Sequence, residues 1–224
     1  MDVSRYPQAT PEYQANQLLG RYGVDLVLDV GANHGGYSTM LRRSGYRGRI
    51  VSFEPVREPF TCLRVKATHD PLWTVMPFAI GDVDGTVEIH VAGNHAASSS
   101  VLGMLPRHAE AVPSSQYIAS ESVPQRTLNS LWPEVVSQGD RVFLKLDVQG
   151  GEKRALVGAG ERLSQCIGVQ LEISFLPLYE GGMLYREALD WMDGWGFTPA
   201  YVLPGFTDPR TGQMYQCDVV SFRE

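Results

Sequence analysis

Short apolar runs alternate along this chain with stretches of helical period, the pattern of parallel strands covered by crossover helices. The runs "VDLVLDV" (24–30), "RIVSFEP" (49–55), "WTVMPFAI" (73–80), "RVFLKLDV" (141–148) and "CIGVQLEI" (166–173) read as strands buried on both faces. Helical spacing predicts helices at Glu12–Arg21, Tyr37–Arg43, Glu58–Thr68, Glu152–Leu163 and Tyr185–Trp195. "GTVEIHVAG" (85–93) alternates polar with apolar and reads as an extra, partly exposed strand. "TPAYVLPG" and "QMYQCDVVSF" read as a strand pair near the C-terminus. Seven such strands make an open, doubly wound α/β sheet. The stretch 94–125, rich in Ser, Ala and Pro, is too long for a plain connection and reads as an inserted lid or substrate loop.

With 224 residues, the chain fits one domain, with a short helical N-terminal extension over about 1–23. A net charge of −6 argues against a nucleic-acid partner. The N-terminal stretch holds no apolar run of signal-peptide length, and no segment approaches the roughly 18 apolar residues of a membrane span, so a cytoplasmic location is expected. Cys62, Cys166 and Cys217 are scattered and suggest neither a disulfide framework nor a zinc motif. His69, His90 and His108 also stand apart.

In a doubly wound sheet the first strand–turn–helix unit is the usual ligand cradle. Here it reads "LVLDVGANHGGYSTML". Asn33 stands where a dinucleotide fingerprint has its second glycine, and no Lys-Ser or Lys-Thr follows to make a phosphate loop. Asp29, at the mouth of that turn, would repel a diphosphate but suits a ligand carrying an ammonium and a sulfonium, as S-adenosylmethionine does. Glu54 ends the second strand, where a carboxylate can accept from ribose hydroxyls, and Asp82 in "AIGD" is placed to accept from an adenine amino group.

These segments, with Phe60 and Leu63 after "SFEP", the serine run "ASSSVL", "RTLNSL", "LKLDVQGGEKRALVGA" and "LEISFLPLYEG", occur in one consistent order from about Val24 to Phe197. Together they resemble the FkbM family of S-adenosylmethionine-dependent methyltransferases. The resemblance implies a class I methyltransferase Rossmann-like fold, mostly parallel with an antiparallel last strand, and methyl transfer to a hydroxyl oxygen, often of a sugar or a natural product. It also implies cofactor contacts at Asp29, Gly31, Asn33, Gly35, Glu54 and Asp82. His34, Tyr37, Pro55, Ser98 and Asp147 are expected beside them. His34 departs from the small or apolar residue common at its position, which leaves open a role for the imidazole near the sulfonium.

An aliphatic hydroxyl needs a base or a metal within hydrogen-bond reach. Asp147, ending the fourth strand, is the leading candidate, and Glu172, ending the fifth, is the second acid of the pair. A lesser alternative is that the two hold a magnesium ion. Alternatively, Lys145, Asp147 and Glu152 form a buried ion cluster that only ties strand to helix. Ser98, Ser99 and Ser100 could orient the acceptor or the cofactor carboxylate, and His95 is the second-choice base. Phe175, Tyr179, Tyr185 and Phe206 suit stacking against a sugar ring, or ordinary packing at a loop root. The expected partner is a hydroxylated small molecule, with a homodimer formed through the edges of "VEIHVAG" and the final strand as a further expectation. Competing functions are aminopropyl transfer on the same fold and a silent S-adenosylmethionine-binding scaffold.

Overall fold

The computed structural model describes residues 10–223. Its strands are β1 (Leu26–Val30), β2 (Arg49–Phe53), β3 (Trp73–Met76), β4 (Ala79–Ile80), β5 (Gly85–Ala92), β6 (Tyr117–Arg126), β7 (Val142–Leu146), β8 (Cys166–Ser174), β9 (Thr198–Pro204) and β10 (Gln216–Phe222). The helices are α1 (Pro11–Arg21), α2 (Gly36–Arg43), α3 (Arg57–Ala67), α4 (Pro106–Ala111), α5 (Leu128–Val135), α6 (Glu152–Ala159) and α7 (Tyr185–Gly194). Residues 1–9 of the expected N-terminal extension lie outside the described residues; α1 supplies the rest, started by Thr10, whose hydroxyl accepts from the Tyr13 amide.

Seven strands form one sheet in the order β3-β2-β1-β7-β8-β10-β9, parallel from β3 to β8, with β10 antiparallel to both of its neighbours. The central strands β1 and β7 are buried on both faces, which is why they are apolar at nearly every position. Leu28 and Val30 join one core with Leu144, Leu146 and Leu171, whereas Val27 joins the opposite core with Ile50, Phe143 and Val220. The chain runs outward from β1 through β2 to β3, then returns to β7 on the other side of β1. The order therefore reverses between β1 and β7, and a crevice opens beyond their carboxyl ends.

Two expectations are corrected and one is refined. The run 73–80 is two strands, because Pro77 carries no N–H for the ladder; β4 leaves the main sheet and pairs with β6 in a second sheet of order β4-β6-β5. The stretch 94–125, read as an inserted lid or substrate loop, carries regular structure of its own: it contains α4 and most of β6, which runs antiparallel to β5. Only Val123 and Gln125 of β6 are buried, so that strand lacks an apolar signature. The final strand is not an edge, since β10 lies between β8 and β9; the main sheet ends in β3 and β9, and the second sheet in β4 and β5. The helix α5, capped by the Thr127 hydroxyl accepting from the Ser130 amide, was not expected. No helix among the described residues is long and apolar enough to cross a membrane.

Candidate active site

The turn after β1 is built for close approach. Gly31 has φ 77°, and a Cβ there would overlap the Asp147 carbonyl oxygen at the end of β7, so only glycine lets the two strand ends meet. Gly35, at φ 78°, lies against Leu63 and Trp73 in the same way. Between them the Asn33 amide donates to Glu54 Oε2 at 2.8 Å, and the Val56 amide donates to Glu54 Oε1 at 2.8 Å. Burial pushes the Glu54 carboxyl up to about 7 despite these two bonds. Gly31, Asn33, Glu54, Pro55, Gln125 and Asp147 line one crevice at the switch point.

Beneath the crevice a polar row crosses the sheet. Ser52, Asp29, Lys145 and Gln170 stand in register on β2, β1, β7 and β8. Asp29 is fully buried; Ser38 and Ser52 hydroxyls donate to its Oδ2 at 2.8 and 3.1 Å, and Lys145 Nζ lies 3.4 Å from its Oδ1. Lys145 Nζ also lies 3.3 Å from Asp147 Oδ2 and donates to the Gly31 carbonyl at 3.3 Å. Burial works to lower the Lys145 ammonium, but Asp147 and Asp29 outweigh it and hold it raised. Asp29 is thus paired inside the sheet and not at the mouth of the turn, which corrects the expected direct contact.

At the end of β7, Gln149 adopts φ 53° and joins the two expected acids. Its Nε2 donates to Asp147 Oδ1 at 2.8 Å and to Glu172 Oε2 at 2.9 Å, while its Oε1 accepts from the Tyr179 hydroxyl at 2.7 Å. Gln216 Nε2 donates to the same Glu172 oxygen at 2.8 Å. Burial, then Asp147 and Glu152, hold the Glu172 carboxyl well above its ordinary value. Asp147 lines the crevice, with its side chain 35% exposed; Glu172 is not among the lining residues. The pair does not fit a magnesium ion, because the Gln149 amide presents N–H donors to both carboxylates where a shared cation would need to sit. Glu152 accepts from the Val148 and Gly150 amides and, buried, rises to about 7. The expected lysine cluster therefore runs from Lys145 to Asp29 and Asp147, without Glu152.

Other expected residues lie elsewhere. Asp82 is exposed, because Gly81 packs against Gly158 of α6 and the chain turns outward there; Gln125 reaches the crevice instead, tied by its Nε2 to the Val83 carbonyl at 2.9 Å. Ser98 is buried away from the crevice, its hydroxyl accepting from Asn94 Nδ2 at 2.9 Å and lying 3.3 Å from His108 Nε2. Ser99 and Ser100 do line it, and the Ser100 hydroxyl donates to the Gln149 carbonyl at 2.7 Å. His95 is exposed at φ 57° and contributes its carbonyl, which accepts from Asn33 Nδ2 at 3.4 Å. His34 turns toward Glu58 of α3, with its Nε2 3.1 Å from Glu58 Oε2. Tyr37 covers Lys145, whose Nζ stands 5.3 Å from the ring centre. Of the expected aromatics only Tyr179 bonds to this network; Phe206 packs on His108, and Phe175 on Tyr185. Gln149, although inside "LKLDVQGGE", and Gln125 are uncharged and were not singled out from the sequence.

A doubly wound sheet in which the antiparallel β10 is inserted between β8 and β9 is the fold of class I S-adenosylmethionine-dependent methyltransferases. Solved structures of the same fold include a fibrillarin/Nop5p complex (TM-score 0.51, 11% identity, covering 95% of this chain and 83% of that one). An rRNA methylase from Streptococcus thermophilus also matches (TM-score 0.51, 8% identity, covering 96% and 98%). Residues 29–199 match the Methyltransferase FkbM domain, and the chain belongs to that family. It is 25% identical over 172 residues to the 2-O-methyltransferase NoeI of Sinorhizobium fredii (strain NBRC 101917 / NGR234), covering 74% of this chain and 70% of the relative.

Proposed function

We propose that the protein methylates a hydroxyl oxygen of a small molecule, a sugar unit of a glycoside, glycolipid or natural product, with Asp147 as the general base. The observation that carries this reading is the placement of Asp147. Apart from Glu54, it is the one carboxylate among the described crevice residues, and it is oriented from two sides by Lys145 and Gln149. The name of the relative, a 2-O-methyltransferase, supports an oxygen acceptor.

The crevice fits S-adenosylmethionine better than a phosphate-bearing nucleotide. Its acids are Glu54 and Asp147 and its single basic residue is Arg154, so a diphosphate would meet net negative charge. Each Glu54 oxygen receives one backbone N–H and keeps a lone pair, which leaves two acceptors for vicinal ribose hydroxyls. Gln125 offers a carboxamide oxygen on the adenine side. The cofactor, when bound, supplies an electrophilic methyl group on sulfur.

Asp147 then accepts the acceptor's hydroxyl proton as the oxygen–methyl bond forms and the sulfur–methyl bond breaks. Glu172, which does not reach the crevice, acts through Gln149 as a positioning residue. The apolar wall of Val30, Val56, Phe78, Ile80 and Val101 excludes water and strengthens the electrostatics of the step.

The test is S-adenosylhomocysteine formation with the protein, S-adenosylmethionine and a panel of glycosides bearing free hydroxyls. Turnover with at least one glycoside, lost in Asp147→Asn, supports the reading. Cofactor binding without turnover on any of them supports a silent binding protein.

A further inference from the structure

Outside the crevice, on the far side of the first turn, three side chains of different chemistry converge. Glu58 and Cys62 are four residues apart on α3 and so share one face. His34 comes from the turn before α2. His34 Nε2 is 3.1 Å from Glu58 Oε2, Cys62 Sγ is 3.7 Å from Glu58 Oε1, and one nitrogen, one oxygen and one sulfur all lie within 4.8 Å of one another.

A second observation concerns the imidazole's other nitrogen. His34 Nδ1 is in close contact with Asn33 Oδ1, which also accepts from the His34 amide at 2.6 Å. An amide oxygen can only accept, so Nδ1 is the donor there, and Nε2 is the nitrogen that faces Glu58. A carboxylate oxygen 3.1 Å from that nitrogen is satisfied by a proton or by a metal cation shared between the two, and the thiol of Cys62 faces the same point. A histidine whose second nitrogen is held by an oxygen acceptor is the usual arrangement of a metal ligand.

We propose that His34, Glu58 and Cys62 form a site for a zinc-class divalent cation. Three protein ligands of N, O and S type suit a tetrahedral Zn2+ with water in the fourth position, and the thiolate selects against Mg2+. Binding forms a metal–sulfur bond and releases the Cys62 thiol proton to solvent. No sequence motif marks the site, because His34 and α3 meet only through the fold. The cation would fix the turn from outside: Asn33, which orients His34, also donates its amide to Glu54. Ion occupancy should therefore tighten S-adenosylmethionine binding, a consequence that rests on the cofactor reading above, whereas the site itself does not.

Titration of the metal-free full-length protein with Co2+ tests it. The expected result is a near-ultraviolet sulfur-to-cobalt charge-transfer band that saturates at one equivalent and is displaced by Zn2+. Cys62→Ser should abolish the band, and His34→Ala, which leaves the thiol in place, should weaken Co2+ binding about tenfold or more. All three side chains are at least partly exposed, so circular dichroism of the variants should match that of the parent. Absence of the band, or its persistence in Cys62→Ser through Cys166 or Cys217, would overturn the proposal. Cofactor affinity is read separately: a charge-transfer band in a protein that binds no S-adenosylmethionine keeps the metal site and rejects only the cofactor reading.

Discussion

Lys145 Nζ lies 3.4 Å from Asp29 Oδ1 across neighbouring parallel strands, with both side chains almost wholly removed from solvent. Neither charge is tolerable there alone. Lys145→Met should lower unfolding free energy by about 3–5 kcal/mol, because it strands the Asp29 carboxylate. The double variant Lys145→Met/Asp29→Leu should recover part of that loss. Urea unfolding midpoints at constant slope check both.

Glu54 is expected to bind ribose hydroxyls, so Glu54→Gln should weaken S-adenosylmethionine binding about tenfold or more, the usual scale for losing charged hydrogen bonds. Calorimetry reads this directly. An unchanged affinity would remove Glu54 from the cofactor site.

Gly31→Ala should cost more than about 2 kcal/mol, since its Cβ would overlap the Asp147 carbonyl at a positive φ. Gly36→Ala is the control, with open space around its Cβ. Thermal unfolding should separate the two variants, with Gly36→Ala close to the parent protein.

The buried acids give the pH dependence its sign. Glu54 and Glu152 are raised to about 7 and Asp218 to about 6, chiefly by burial, so the folded protein holds protons that the unfolded chain has released. Stability should therefore be fuller below about pH 4.5 and fall as pH rises through 6 to 7. Asp70 and Asp84, held low by hydrogen bonds from Arg42 and from the Thr127 amide, act in the opposite sense below pH 4. The maximum should lie near pH 5, as measured by denaturant melts across pH; rising stability from pH 5 to 8 would contradict the burial of these acids.

Much of the fold was legible because strands buried on both faces must be apolar at consecutive positions, as in Leu26–Val30 and Val142–Leu146. The second sheet was harder to read. Residues of β6 are mostly solvent-facing and carry Ser, Glu and Pro, so its backbone pairing with β5 leaves little trace in hydropathy. The crevice lining was legible where residue type and strand end coincide, as at Glu54 and Asp147. It misled where a carboxylate near a strand end pointed elsewhere: Asp29 inward to Lys145, Asp82 outward to solvent. Gln149 escaped notice because its role comes from a left-handed backbone that aims one amide at two acids, and neither the φ nor the aim is visible in "DVQGGE".

The assignment of the base is tested by comparing Asp147→Asn with His95→Ala in methyl transfer from labelled S-adenosylmethionine to an acceptor glycoside, alongside cofactor binding by calorimetry. The account predicts that Asp147→Asn loses about 10²–10⁴-fold in kcat with cofactor affinity retained, while His95→Ala turns over like the parent. Full turnover by Asp147→Asn would contradict it.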